Sequence, residues 1–285
     1  MSSLTLNKTD NQVQIFETVQ GEGMFLGVPS FFIRLQGCSV RCFFCDEKKT
    51  WALGTKNEQI LNYEEILEQL QIMNSGLKRV VITGGEPTEQ DIVPFIKFLN
   101  SHGYKVALES AMTGKYAEAV LDYIFVQEQL HRGAAFERAS SRLRRMNDRS
   151  VLNVHEDHED DENAEIGVKE QSLWLTFSPK AIYSEAGEPS DERVYALAHE
   201  LKFVIADDKA VDFLENTLLP KVLFTGHEAG ENAGNSVVQR SSKPFFLVAD
   251  WNNIKENQAR ILELLKKYPE VLRIGIQAHK YWNIA

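Results

Sequence analysis

The feature that most constrains this chain is the segment 38–45, which holds all three cysteines of the sequence within eight residues. An odd number of clustered cysteines cannot form a disulfide framework in one chain, so the thiols favour a shared metal centre. The spacing C-x-x-x-C-x-x-C offers three ligands, whereas a closed zinc site needs four. Three cysteines suit a 4Fe-4S cube with one iron free of protein ligands, since electron-transfer clusters normally take a fourth cysteine. A zinc site completed by a histidine is the alternative.

Composition predicts an ordinary globular enzyme. The chain has 285 residues, of which 43% are hydrophobic, enough for a substantial core. No uninterrupted apolar run approaches eighteen residues, and residues 1–10 lack the order of a signal peptide, so we expect a cytoplasmic protein without a membrane partner. The net charge of -10 argues against nucleic acid as a partner, because phosphate binding needs a basic face.

Apolar runs of strand length alternate with amphipathic segments of helical period along most of the chain. Strands are predicted at 13–18, 29–36, 78–83, 104–109, 173–178, 201–206, 244–249 and 271–276. Helices are predicted at 63–73, 91–102, 115–129, 193–201, 210–218 and 257–267. This order is typical of an α/β fold with a parallel sheet or barrel.

The alternation lapses between about residues 126 and 170, where an arginine-rich stretch precedes a dense acidic run. Segments this charged bury too little apolar surface to offset the entropy of ordering. We therefore expect a single domain spanning residues 1–285, with a partly disordered insertion at about 126–170.

Two glycine-rich motifs flank the predicted strands. Gly84, Gly85 and Glu86 follow a buried strand directly, at the edge where parallel-sheet enzymes bind ligands. Glycines allow close backbone approach, and Glu86 offers acceptors for an ammonium group. Earlier in the chain, Gln20-Gly21-Glu22 forms a second polar turn. Taken alone, each motif is equally well explained as a simple turn.

Together, the cysteine spacing and the following Gly-Gly-Glu-Pro resemble the radical S-adenosylmethionine (SAM) superfamily. The resemblance implies an incomplete parallel (β/α) barrel of about six strands, with the cluster at the carboxyl ends of the strands. It also implies that the open iron binds SAM, whose reductive cleavage yields a 5'-deoxyadenosyl radical that abstracts a substrate hydrogen.

Further segments resemble the 7-carboxy-7-deazaguanine synthase family within that superfamily: FETVQGEG at 16–23, FIRLQGC at 32–38, VITGGEP at 81–87, SPK at 178–180 and QAHKYWNIA at 277–285. They cover most of the chain outside the insertion. The resemblance implies a lyase that contracts 6-carboxy-5,6,7,8-tetrahydropterin to 7-carboxy-7-deazaguanine with loss of ammonia, in queuosine and 7-deazapurine biosynthesis. Family resemblance also implies an electron donor such as flavodoxin and a homodimer.

Carried over residue by residue, the resemblance assigns the cluster and catalytic roles to Cys38, Cys42, Cys45 and Glu22. The methionine part of SAM would contact Gly84, Gly85 and Glu86, with Ser110, Ser178 and Lys180 nearby. The pterin would contact Gln20, Gly21, Glu22, Arg34, His279 and the tail ending at Ala285. Arg34 offers a bidentate fork for a carboxylate, and Glu22 accepts from guanidine-like N–H groups. Without the resemblance, Arg34 is explained as a strand-end ion pair and His279 as a surface histidine.

The sequence departs from the family pattern around the metal and the cosubstrate. The family holds Mg²⁺ near an aspartate and a threonine after the third cysteine, and here these positions are Asp46 and Glu47. Glu47 keeps an oxygen for a hard cation but adds charge and length. The family's Glu-Thr-Ser/Asn-Gly stretch is Glu109-Ser110-Ala111-Met112, and its Gln-Pro segment is replaced around Ala249 and Asp250.

Two other functions remain open at this point. A glycyl-radical-enzyme activase shares the three-cysteine architecture and requires an open groove for a partner protein. A non-catalytic zinc or iron-sulfur module would use the acidic insertion to recruit a partner.

Overall fold

The computed structural model describes residues 2–73, 75–148, 173–183, 187–223 and 243–282. Within these ranges one sheet of eleven strands runs through the protein. The strands are β1 (Ser3–Thr9), β2 (Gln12–Val13), β3 (Ile15–Val19), β4 (Pro29–Leu35), β5 (Glu58–Asn62), β6 (Arg79–Gly84), β7 (Lys105–Ser110), β8 (Leu173–Phe177), β9 (Glu200–Ile205), β10 (Phe245–Ala249) and β11 (Leu272–Ile274).

The strands from β4 onward, with β5 set aside, form an open parallel sheet in the order β4-β6-β7-β8-β9-β10-β11. This arrangement confirms the predicted α/β class, with seven parallel strands in the described chain where about six were expected. Parallel neighbours require crossover connections, which are supplied by helices on one face.

The N-terminal strands are antiparallel and were mostly missed from sequence. β1 pairs with β2, β4 and β5, and β3 pairs with β4. The predicted strand 13–18 is divided between β2 and β3. The sequence of β1, SLTLNKT, carries only two aliphatic side chains, Leu4 and Leu6, which are too few for a clear alternation signal.

The helices in the described residues are α1 (Tyr63–Met73), α2 (Val93–Ser101), α3 (Ala117–Asp148), α4 (Arg193–Leu197), α5 (Asp208–Phe213), α6 (Leu219–Leu223), α7 (Ile254–Lys267) and α8 (Ala278–Trp282). Six of these eight helices lie where the periodicity predicts them, with shifted ends, whereas the short helices α6 and α8 were not predicted. Helix α3 continues well beyond the predicted end at residue 129, so the first part of the expected insertion is helical. The remainder, residues 149–170, lies outside the described residues. No helix in the described ranges has the length and apolar character needed to cross a membrane.

The two faces of the parallel sheet differ in chemistry. The outer face packs against the helices in the main apolar core. On the inner face, Phe32, Val81 and Ala107 form a small apolar floor, with Phe16 and Trp174 packed against it. Two residues further along the same strands, the side chains on this face are Arg34, Thr83, Glu109 and Thr176. Because alternate residues share a face, a polar layer lies above the floor, near the carboxyl ends of the strands.

Gln36 fastens the segment after the cysteines to the sheet. Its side-chain Nε2 donates to the carbonyls of Lys49 (3.0 Å) and Ala52 (2.6 Å), while its Oε1 accepts from Asn7 Nδ2 at 2.7 Å. Gln36 is 1% exposed. Through these three hydrogen bonds, one buried amide therefore holds residues 49 and 52, which follow the cysteine segment, beside the end of β4 and β1.

We predict that Gln36→Leu lowers the free energy of unfolding by about 2–4 kcal/mol, because the carbonyls of Lys49 and Ala52 lose this donor and the buried Asn7 amide keeps only its bond to Asn57 O among the described residues. Urea denaturation measures the change. Gln59→Leu, at an exposed position on β5, is the matched control and should shift stability by less than about 0.5 kcal/mol. Equal effects of the two variants would contradict the anchoring role of Gln36.

Candidate active site

A cavity of about 620 Å³ opens at the carboxyl ends of the parallel strands. The predicted site residues that line it are Gln20, Gly21, Glu22, Arg34, Cys38, Cys42, Cys45, Asp46, Glu47, Gly84, Gly85, Glu86, Ser110, Ser178, Lys180 and His279. The structure thus brings together residues drawn from both ends of the chain. Ala285, the remaining predicted contact, lies outside the described residues.

The cysteine loop follows β4 directly. Gly37 has φ +98°, and its N–H donates to Thr50 O at 2.8 Å, so the chain leaves the strand in a tight turn. Cys42 is buried, while Cys38 and Cys45 are partly exposed towards the cavity, and all three thiols are free. Val40 and Ala111 pack beside them. Burial raises the pKa of the Cys38 and Cys42 thiols, that of Cys42 to about 11.

Glu86 is held by the protein through both carboxylate oxygens. Oε1 accepts from Ser110 Oγ (2.5 Å), Thr88 Oγ1 (2.5 Å) and Thr88 N (3.1 Å). Within the described ranges, Oε2 accepts from Ala111 N alone, at 2.8 Å. Burial raises the pKa of Glu86 in spite of these four donors. Oε2 retains acceptor capacity for a donor from a ligand.

The two glycines before Glu86 are required by packing. A Cβ on Gly84 would lie 2.2 Å from Leu35 N, and a Cβ on Gly85 would lie 2.1 Å from Gly37 O. Gly84 also has φ +119°, outside the range of ordinary residues. The glycines thus allow the motif to lie against the end of β4. From sequence, we expected the glycines to allow a ligand to approach the backbone, whereas in the structure they allow another part of the chain to do so.

Arg34 and the two carboxylates predicted to bind magnesium lie on one side of the cavity. Arg34 Nη2 is 3.6 Å from Glu47 Oε1, and its buried Nε has no hydrogen-bond partner among the described residues. Glu47 Oε2 is also buried, accepts no hydrogen bond in that part of the chain, and lies 3.3 Å from Lys49 Nζ. Asp46 is 3.6 Å from Lys280 Nζ. Both carboxylates therefore already face cations.

The Gly21 turn and the C-terminal helix α8 close the opposite side. Ala278 N donates to Gly21 O at 2.9 Å, and Gln277 Nε2 donates to Glu22 Oε1 at 2.9 Å. A Cβ on Gly21 would lie 2.9 Å from His279 Nδ1, so glycine is needed for this approach. Residues more than 250 positions apart in sequence therefore share one wall.

Sequence reasoning missed Lys202 and Gln277, and it did not assign a role to Glu109. Lys202 forms an ion pair with Glu22 and lies 3.7 Å from Glu109 Oε2. Although burial acts to lower it, the pKa of Lys202 is raised by Glu109 and Glu22. The sequence does contain a signal for Lys202. It is the one charged residue in the apolar run 201–206, and it lies two residues before Val204, so both side chains point to the cavity face of β9.

Ser178 and Lys180 follow the end of β8. Ser178 N donates to Ser110 O at 2.9 Å, which joins two predicted cosubstrate residues across neighbouring strands. The Lys180 Nζ lies 5.2 Å from the centroid of the Phe44 ring. Burial lowers the pKa of Lys180.

The arrangement fits an iron-sulfur cluster with a bound amino acid group. Three thiols from one loop face the same cavity as Glu86, whose Oε2 has room for an ammonium donor. In the described residues, no three His, Cys, Asp or Glu side chains are placed to hold a single metal ion. A cube separates its thiolate ligands more widely than one zinc ion does.

The family model of the Radical SAM superfamily matches residues 32–129, which contain the cysteine loop and the Gly-Gly-Glu-Pro motif. The 7-carboxy-7-deazaguanine synthase of Escherichia coli strain K12 is 32% identical over 151 residues, covering 47% of this chain and 68% of that protein. The enzyme of the same name from Synechocystis sp. is 26% identical over 271 residues, covering 95% of this chain and 91% of that protein.

The fold agrees with a solved structure. The crystal structure of QueE from Escherichia coli aligns with a TM-score of 0.58 at 20% identity, covering 95% of this chain and 93% of that one. This likeness supports the fold, and the sequence relatives supply the family. The chain belongs to the 7-carboxy-7-deazaguanine synthase family of radical SAM proteins.

Proposed function

We propose that the protein is a carbon-nitrogen lyase that converts 6-carboxy-5,6,7,8-tetrahydropterin to 7-carboxy-7-deazaguanine with loss of ammonia, in queuosine biosynthesis. The observation that carries this proposal is the single cavity that joins the three cysteines and Glu86 to Arg34 and Glu22. The cysteines and Glu86 form the end of this cavity that we assign to the cofactors, and Arg34 and Glu22 form the end that we assign to the substrate.

The substrate end offers complementary charges for a carboxypterin. Arg34 has a buried Nε with no acceptor among the described residues, which suits the second hydrogen bond of a bidentate carboxylate contact. Glu22, fixed by Gln277, presents a carboxylate to the N–H donors of the pterin edge. The opposing charges give the ligand one orientation, with its carboxylate towards the cysteine loop.

The cofactor end is organised by the cysteine loop and Glu86. Cys38, Cys42 and Cys45 would hold a 4Fe-4S cluster, and Glu86 with Ser110, Ser178 and Lys180 would contact SAM. When bound, the pair supplies the 5'-deoxyadenosyl radical that removes hydrogen from C6 of the substrate. The apolar neighbours Val40, Phe44 and Ala111 restrict water around this part of the cavity.

We also propose that Asp46 and Glu47 would hold a Mg²⁺ ion, which would supply positive charge for binding the substrate carboxylate. The support is Glu47 Oε2, a buried carboxylate oxygen that accepts no hydrogen bond in the described chain. Oxygen ligands suit this hard cation. The ion would take over the charge compensation that Lys49 gives to Glu47 and Lys280 gives to Asp46.

The remaining partners follow from the chemistry and the family. One electron per cleavage requires a donor, for which a flavodoxin-like carrier is the proposed class. We propose a homodimer on family resemblance, and a cytoplasmic location because three clustered thiols need a reducing compartment.

A glycyl-radical activase is the competing function, and the C-terminal contacts disfavour it. Gln277 and Ala278 hydrogen-bond to the Gly21 turn and complete one wall of the cavity, which favours a pocket for a small ligand over a groove for a protein. Tyr281, in α8, packs edge-on against Trp251, with ring centroids 5.2 Å apart, which holds this helix against the residues that follow β10.

We predict that anaerobic, cluster-reconstituted protein converts the carboxypterin to the deazaguanine in the presence of SAM, reductant and Mg²⁺. Product formation is followed by liquid chromatography with mass spectrometry. The Cys42→Ala variant, which lacks one cluster ligand, is the negative control. Cleavage of SAM by the wild-type protein without the deazaguanine product would refute the assignment.

Removing Mg²⁺ with a chelator should lower turnover of the wild-type protein, and adding Mg²⁺ back should restore it. In the Glu47→Gln variant, added Mg²⁺ should have no effect on turnover, because the amide is a weaker ligand for a hard cation. Steady-state kinetics with and without Mg²⁺ measures both effects. The opposite result, a Glu47→Gln variant with a lower KM in the absence of Mg²⁺, would mean that Glu47 competes with the substrate for Arg34. The magnesium proposal would then be wrong.

Truncation of the chain before Tyr281 should raise KM for the carboxypterin at least about tenfold, because it removes the ring contact with Trp251 that holds the end of α8, together with the tail that the family resemblance assigns to the pterin. Kinetics of the truncated and full-length proteins, matched for iron content, measures this effect. An activase would tolerate the truncation, so unchanged kinetics would count against the closed pocket.

A further inference from the structure

Lys202 is a partly buried cation on the inner face of β9, and none of the motifs that define the family accounts for it. Its side chain is 13% exposed and lines the cavity. It forms an ion pair with Glu22 Oε2 and lies 3.7 Å from Glu109 Oε2. Removing a lysine from water between two carboxylates lowers the free energy only while the lysine keeps its contacts with both of them.

These three groups belong to a closed ring of contacts, called the circuit below, which is made by side chains and by the backbone N–H of Glu22. Glu109 Oε1 accepts from Gln20 Nε2 at 2.8 Å, and Gln20 Oε1 accepts from Glu22 N at 3.2 Å. The circuit therefore runs from Glu22 through Lys202, Glu109 and Gln20 back to Glu22. It joins the Gly21 turn to β7 and β9, and Gln277 adds a further bond to Glu22 from the C-terminal segment.

The charges around Glu22 explain why the lysine is needed. Burial acts to raise the pKa of Glu22, but Lys202, Gln277 and His279 outweigh it and hold that pKa below its ordinary value. The other titratable groups that contribute to this region are Lys180 after β8, Glu109 on β7 and Glu200 on β9. Without Lys202, Glu22 would share a buried site with these two carboxylates.

We propose that Lys202 is a positioning residue that holds Glu22 as an ionised acceptor at the cavity wall and thereby sets the affinity for a ligand edge rich in N–H donors. This inference rests on the proposed carboxypterin substrate. Lys202 acts on the substrate through Glu22, so its effect should fall on binding more than on the rate of the bound complex.

The test compares Lys202→Met, Lys202→Arg and the double variant Lys202→Met/Glu109→Gln with the wild type. Binding of the carboxypterin to reconstituted holoenzyme with SAM, but without reductant, is measured by anaerobic calorimetry between about pH 6.5 and about pH 9. Thermal denaturation checks folding, and kcat and KM are measured separately. Lys266→Met is the control, because Lys266 is 72% exposed on α7 and pairs only with Glu263 among the described residues.

We expect Lys202→Met to weaken binding about 10- to 100-fold at neutral pH, because each unit by which the pKa of Glu22 rises above the solution pH costs tenfold. The loss should shrink as the pH rises and Glu22 ionises. Lys202→Arg should restore most of the affinity, and Glu109→Gln in the Met background should restore part of it by removing a like charge. Throughout, kcat should change less than KM.

Binding by folded Lys202→Met equal to that of the wild type would overturn the inference. A loss that is the same at every pH and is rescued by neither second variant would also overturn it, since it would show only a structural role. If Lys202→Met fails to fold, ligand binding by the double variant and by Lys202→Arg is compared with that by the wild type instead. A wild-type protein that neither binds nor converts the carboxypterin overturns the proposed function as well, which separates the two failures.

Discussion

The site depends on the contact between the Gly-Gly-Glu-Pro turn and the end of β4. Gly85 N donates to Leu35 O at 2.9 Å and Glu86 N donates to Gly37 O at 2.8 Å, so the turn extends the parallel pairing of β6 with β4 beyond the strands. Only residues without a Cβ fit at positions 84 and 85. Since Cys38 follows Gly37 directly, this contact fixes the cysteine loop and Glu86 relative to each other.

The parallel sheet then determines which side chains meet in the cavity. Alternation along each strand puts the apolar floor at one level and a charged layer two residues higher. Charges removed from water must be compensated there, because an isolated buried ion is strongly unfavourable. The sharing of Lys202 between Glu22 and Glu109, and of Glu47 between Arg34 and Lys49, satisfies this requirement at the two ends of the substrate region.

Sequence predicted most of the fold and most of the residues that the structure brings to one cavity, for different reasons. The parallel strands are apolar on both faces over part of their length, so they stand out, whereas β1 is short of aliphatic residues and was missed. The cysteines and Glu86 could be predicted to share a cavity because their motifs are continuous in sequence. Lys202 and Gln277 could not, because their contacts with Glu22 arise from strand register and from the approach of segments distant in sequence. The predicted tail contact at Ala285 lies beyond the described residues.

In the segment Ser110-Ala111-Met112, the sequence differs from the family pattern but the backbone conformation is one that glycine favours. Met112 adopts φ +55° where the family pattern has glycine, at a cost of about 1–2 kcal/mol. Its side chain is 1% exposed, and burial of a methionine contributes about 1.5–3 kcal/mol in return. The turn is needed because it directs Ala111 N to Glu86 Oε2 and Met112 N to Ser110 Oγ. The backbone path that holds Glu86 is therefore retained while the side chain changes, because a buried apolar group offsets the strain that glycine would have avoided.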